Sequence, residues 1–205
     1  PVSVNHGVLM VFENVSDGYA SPSTSPASNE LMDILGRYRF IRRFVDAGIS
    51  RTGGGAFIRD IQLSDLDGDS DLDVFVLESN HPIDLTGRQY GVSSLPTGWN
   101  AINRFRIHKN ESDGTGTLDL DNRSYPPITH SLPDTHDGIP SMNYNVVRLG
   151  DVDGDGDADA VFGSVGGSML KLNDGTGSFS GETWIHNYRT HSLELGDLDG
   201  DGDLD

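Results

Sequence analysis

Asp151-Val152-Asp153-Gly154-Asp155-Gly156-Asp157-Ala158-Asp159 carries a carboxylate at every odd position of a nine-residue block. The same phase occurs in Asp65-Leu66-Asp67-Gly68-Asp69-Ser70-Asp71-Leu72-Asp73 and in Asp197-Leu198-Asp199-Gly200-Asp201-Gly202-Asp203-Leu204-Asp205. Two carboxylates about 5 Å apart repel by roughly 1–3 kcal/mol at effective dielectrics of about 80 down to 20. Five of them in one tight loop call for a cation. Hard oxygen donors around a glycine bend suit Ca²⁺ better than Mg²⁺ or a transition metal. One block is chance acidity; three in the same phase are a signal.

Working outward, the flanks of each block read as strands. Residues 56–63 enter the first block and 72–77 leave it. Residues 144–149 enter the second and 158–162 leave it. Residues 191–195 enter the third. These runs are short, rich in β-branched or aromatic residues, and bounded by Gly and Asp. A second repeat alternates with the first. It comprises Val11-Phe12-Glu13-Asn14 before Asp17-Gly18, Ile107-His108-Lys109-Asn110 before Asp113-Gly114, and Leu170-Lys171-Leu172-Asn173 before Asp174-Gly175. Asn, Asp and Gly tolerate the positive φ that tight hairpins need.

The blocks start at 65, 151 and 197, so the shorter interval is 46 residues. A unit of that size holds four strands, expected in the second unit near 144–150, 158–164, 168–173 and 178–187. Four antiparallel strands per 40–50 residues is a propeller blade. The expected fold is all-β: a single incomplete β-propeller over 1–205, with an Asp-rich loop between the first two strands of each blade. Its parts are a blade end at 8–37, a blade at 38–130, a blade at 144–187 and the start of another at 188–205. Two Pro- and Gly-containing insertions, 79–101 and 121–143, read as loops. Residues 29–35 read as a short helix ended by Gly36, and 38–45 as a strand.

Composition narrows the function. The chain has 205 residues and a formal charge of −18, and the three blocks supply 15 of its 32 acidic residues. That balance disfavours nucleic acid, whose phosphates want Lys and Arg, and anionic membranes for the same reason. Cysteine is absent, which removes disulfides, thiolate metal sites and thiol chemistry. The longest apolar run, from Val8 to Phe12, is five residues, against about 20 for a membrane-spanning helix. Weak Asp loops fill at about 0.1–1 mM Ca²⁺, an extracellular range. The expectation is a secreted or cell-surface protein. The abrupt start at Pro1 and the stop at Asp205 read as a fragment of a longer chain, with the third loop expected to be weak or empty.

The Asp blocks, their flanking strands and the Asn…Asp-Gly turns together resemble the FG-GAP/VCBS repeats of integrin-α-like β-propellers. The run Ala47-Gly48, Gly53-Gly54-Gly55-Ala56 and the first block is similar to the cartilage-acidic-protein-like branch, as is Asn103-Arg104-Phe105-Arg106-Ile107 before its turn. The resemblance covers residues 8–19, 38–79, 102–120 and 144–205. It implies Ca²⁺ bound by side chains of the first, third, fifth and ninth loop positions and by the main-chain carbonyl of the seventh. Carried over, these are Asp65, Asp67, Asp69 and Asp73 with Asp71; Asp151, Asp153, Asp155 and Asp159 with Asp157; and Asp197, Asp199, Asp201 and Asp205 with Asp203. The sixth position is usually Gly. Gly156 and Gly202 fit, while Ser70 departs and is expected to weaken the first site slightly.

Rival Asp-loop families fit less well. An EF-hand needs a bidentate Glu at position 12 and flanking helices, but Val76 and Phe162 stand there. A dockerin needs a helix after each loop, and thrombospondin-type arrays need Cys. No Walker loop, His-Glu-x-x-His or Gly-x-Ser-x-Gly pattern occurs. Gly53-Gly54-Gly55 reads as a glycine bend. His130 and His136 read as part of a solvated loop, with a metal or acid–base role as the sharper alternative. Tyr125, Tyr144, Trp99 and Trp184 read as packing residues before a sugar-stacking platform. Asn14, Asn110 and Asn122 head Asn-x-Ser sequons.

The reading is a non-enzymatic, calcium-stabilised extracellular binding or adhesion module that recognises a glycan or a protein ligand. The rivals are the propeller of a secreted polysaccharide-active, lyase-like enzyme, which would need His130, His136, Tyr125 and Arg123 to converge near Trp99, and a structural spacer in a large adhesin.

Overall fold

The computed structural model describes residues 9–14, 30–32, 39–46, 57–79, 102–111, 127–136, 139–140 and 143–205. All regular structure among them is β. The strands are β1 (Leu9–Asn14), β2 (Glu30–Met32), β3 (Arg39–Asp46), β4 (Phe57–Ser64), β5 (Asp73–Ser79), β6 (Asn103–His108) and β7 (Ile128–Ser131). They continue with β8 (Thr135–His136), β9 (Ile139–Pro140), β10 (Tyr144–Gly150), β11 (Asp159–Ser164), β12 (Gly167–Asn173) and β13 (Phe179–His186). Among the described residues no helix is long and apolar enough to cross a membrane.

Two sheets position the Asp loops. Strands β4-β5-β6-β7 and β10-β11-β12-β13 each form a four-stranded antiparallel sheet in sequence order. In both, the first two strands are joined by an Asp block, 65–72 or 151–158. The second strands, β5 and β11, are buried at every residue. Their sequences, Val74-Phe75-Val76-Leu77 and Ala160-Val161-Phe162, are accordingly apolar runs without alternation, as strands covered on both faces require. The outer strand β13 is largely exposed, and Glu182 and Thr183 face water there.

The two sheets share one core. Phe75, Leu77, Phe105 and Ile107 from the first interlock with Tyr144, Val147, Phe162, Met169 and Phe179 from the second. Phe75 stacks on Phe105 at 4.6 Å between ring centroids, and both meet Phe162, at 6.1 and 5.4 Å. Aromatic pairs of this geometry add about 0.5–1.5 kcal/mol beyond the area they bury. A polar link runs beside them. A bulge between Ile58 and Asp60 re-aims the strand, and Asp60 Oδ2 accepts from the Val147 backbone at 3.0 Å and from Arg148 at 3.2 Å. Two such meanders face to face, with Asp loops on matching hairpins, form a propeller-like all-β fold.

Three expectations are corrected. Residues 29–35 do not form a helix where described: Glu30–Met32 is strand β2, paired with β3 through Leu31↔Phe40. A seven-residue helical pattern is too short to hold by propensity, and cross-strand pairing wins. The insertion 121–143, expected as loop, contains β7, the fourth strand of its sheet, together with β8 and β9. Pro126 and Pro127 precede β7 rather than interrupt it, so they leave its ladder to β6 intact. Residues 191–195 form no strand. They are tied down by separate contacts, such as Asn145 Nδ2 to His191 O at 3.2 Å and the Arg148–Glu194 pair, and no ladder runs along them. The insertion 79–101, apart from Ser79 in β5, and residues 47–48 and 53–56 lie outside the described residues.

Candidate metal centres

Each Asp block folds by the same internal hydrogen bonds. The first carboxylate of the first block, Asp65, accepts the Gly68 and Ser70 N–H groups, each at 2.8 Å. Asp151 takes Gly154 and Gly156 at 2.8 and 3.0 Å, and Asp197 takes Gly200 and Gly202 at 2.6 and 3.1 Å. The fifth carboxylates, Asp69, Asp155 and Asp201, accept the N–H of the seventh residue at 2.9–3.0 Å. Positions four and six have positive φ throughout. Gly156 and Gly202 sit at 98° and 99°, and Ser70 at 74° adopts the same left-handed region without a glycine's freedom.

The ninth carboxylate is held from two sides. Asp73 Oδ2 accepts the Leu66 N–H at 3.0 Å and its Oδ1 accepts the Asn110 N–H at 2.8 Å. Asp159 repeats this with Val152 at 3.0 Å and Asn173 at 2.9 Å. In these two units the sequence repeats are therefore one device: the backbone N–H of Asn110 and of Asn173 pins the last Asp of the preceding block. Asp205 has the first of these bonds, from Leu198 at 3.0 Å, and is exposed where Asp73 and Asp159 are buried.

These bonds bring together the first, third and ninth carboxylates. In each of the sets Asp65–Asp67–Asp73, Asp151–Asp153–Asp159 and Asp197–Asp199–Asp205, one oxygen per residue lies within 4.8 Å of the others. The fifth and seventh residues, Asp69, Asp71, Asp155, Asp157, Asp201 and Asp203, stand outside these trios. Burial pushes the Asp73 carboxyl up to about 6, with Asp67 and Asp69 adding to the effect against the two N–H donors. Asp153 and Asp157 are also raised, first by desolvation and then by Asp155.

The donor set fits a hard cation. Asp67 Oδ1 is buried and finds no hydrogen-bond partner among the described residues, while its other oxygen meets Lys109 Nζ at 2.9 Å. Buried carboxylate oxygens left without a partner are costly unless a cation or donor satisfies them. The three Asp trios can thus hold a metal ion.

Of the side chains on which the catalytic alternative rests, the structure describes that of His130. His130 is not a solvated loop residue. It lies on β7, stacked on Phe105 at 4.7 Å, and burial lowers its basicity. Tyr144 is fully buried in the core and offers no sugar platform, while Trp184 is half-buried and packs against that core. Asn110 is buried, which closes that sequon to a glycan. The His136 side chain, Trp99, Asn122, Arg123 and Tyr125 lie outside what is described. One feature escaped the sequence reading: Glu78, buried on β5 and paired with Arg104 at 2.5 Å and Arg106 at 2.5 Å. Its signal was a lone acid in an apolar run.

Residues 151–205 match the family model of the FG-GAP-like repeat. The match takes in strands β11, β12 and β13 of the second four-stranded sheet and the second and third Asp blocks, while β10 lies before it. The first block lies outside it and repeats the same hydrogen bonds. No curated protein and no solved structure matches the chain.

Proposed function

We propose that this chain is part of a Ca²⁺-stabilised β-propeller of a secreted or cell-surface protein, serving as a binding or adhesion module for a glycan or a protein. The observation that carries the metal reading is the threefold recurrence of one loop geometry that gathers three carboxylates while spending backbone N–H groups to hold them. All donors are oxygen, as Ca²⁺ favours. The first, third, fifth and ninth Asp side chains and the seventh carbonyl would hold the ion, and its charge would offset the repulsion within each loop. Its role is structural, closing the hairpin between the first two strands of each sheet. Recognition of a ligand is assigned to surfaces other than these loops, because the FG-GAP-like repeat is a scaffold and a fold does not fix its ligand.

The test is thermal and chemical unfolding in 1 mM Ca²⁺ and in chelator. A site with Kd of about 0.1 mM adds on the order of 1.4 kcal/mol at that concentration. A clear rise in the midpoint with Ca²⁺, and little with Mg²⁺, is expected. Identical midpoints in Ca²⁺ and chelator would refute the assignment.

A further inference from the structure

The turn at 173–177 stands between two Asp blocks that belong to different sheets. The Asn173 N–H donates to Asp159 Oδ1 at 2.9 Å, within its own sheet. Its side-chain Nδ2 donates to Leu66 O at 3.0 Å, in the first block. Asn173 is 5% exposed, and its Oδ1 has no partner among the described residues. The backbone arm and the carboxamide arm thus reach two different candidate metal centres from one residue. Gly177, in the same turn, faces Leu66 O and Lys109, with φ 77°.

The Leu66 carbonyl belongs to the peptide whose nitrogen is that of Asp67. Fixing that carbonyl fixes the peptide plane from which Asp67 projects. Asp67 is the carboxylate with the buried, unpartnered oxygen. The Leu66 N–H is already spent on Asp73 Oδ2, so Asn173 completes the immobilisation of position two of the block from outside the sheet.

We propose that Asn173, held by its backbone bond to the second block, is a positioning residue for cation binding at the first Asp block across the sheet interface. This rests on the metal reading above. Removing the carboxamide should loosen the first site, although Asn173 lies in the second sheet. The second site should be spared, because the backbone arm to Asp159 remains. A net hydrogen bond of about 1 kcal/mol corresponds to a weakening of about fivefold.

The test is a CaCl₂ titration of the full chain, followed by amide NMR at Gly68 and Gly154. These amides donate to Asp65 and Asp151 and report the two blocks separately. In Asn173→Ala, the Gly68 midpoint is expected at about fivefold higher Ca²⁺, with Gly154 within about twofold of wild type. Where the alanine variant fails to fold, Asn173→Ser takes its place, since its short hydroxyl cannot span to Leu66. A general loss of stability would shift both amides together, and that result, or no shift at either, overturns the proposal. Wild-type amides that ignore Ca²⁺ overturn both the metal reading and the positioning role.

Discussion

At the scale of single residues, the three Asp blocks differ most at their sixth position. Ser70 holds φ at 74° where the other two blocks have glycine. The left-handed region costs an ordinary residue roughly 1–2 kcal/mol, and glycine returns about 0.5–1 of that through its looser unfolded state. Ser70→Gly is therefore expected to stabilise the chain by about 0.5–1 kcal/mol, raising the melting midpoint by a few degrees at most. The bond from its N–H to Asp65 is unaffected, so a fall in the midpoint would show that the serine is not strained. The departure at Ser70 was visible in the sequence because the blocks are phase-locked and can be compared position by position. The second hold on Asp73 and Asp159 was not. The Asn110 and Asn173 turns were recognised as repeats, but the bond each makes joins residues 37 and 14 positions apart, and spacing alone does not reveal such a partner. The bond from Asn173 to Leu66 spans 107 positions and left no local trace at all.

At the scale of elements, strand β7 shows how composition misleads. Its Pro-rich approach argued for loop, yet its ladder to β6 places His130 opposite Phe105. Burial is the main reason that His130 resists protonation, with Lys171 adding to it and a hydrogen bond to the Gly177 backbone opposing it. Its folded pKa lies below the ordinary value of about 6.5. As pH falls through 6.5 the unfolded chain takes up the proton first, so stability is lost until the folded pKa is reached. Asp73, raised to about 6, pushes the other way below that pH when no cation is bound. The difference between wild type and His130→Phe isolates the histidine, because phenylalanine keeps the ring stack. In chelator, wild type should lose stability relative to His130→Phe between pH 6.5 and 5, as followed by urea unfolding. Parallel pH profiles would rule this out. By contrast, the strands β4, β5, β10, β11, β12 and β13 were legible to within two residues at the ends compared. Their signals were local: apolar runs, and Asp or Asn at each exit. The pairing of β2 with β3 was hidden because a seven-residue window satisfies a helix as readily as a strand.

For the molecule as a whole, the common core decides how the two described four-stranded sheets respond to damage. Phe162 belongs to β11 but touches Phe75 and Phe105 of the other sheet. Phe162→Ala should cost about 3–5 kcal/mol. Protection from hydrogen exchange should fall in β5 as well as in β11, because the sheets open together. Loss confined to β10–β13 would mean that each sheet stands alone. The twin hold on Asp73 and Asp159 carries a last consequence. These carboxylates are fastened by backbone donors of the chain itself, and the first Asp of every block is fastened likewise. Under the proposed calcium reading, a cation would add its bonds to ones the chain already makes, and would have little ordering to impose. Its arrival should leave the far-UV spectrum nearly unchanged while raising the energy needed to open the hairpin. An ion held in this way would serve as a brace rather than as a relay.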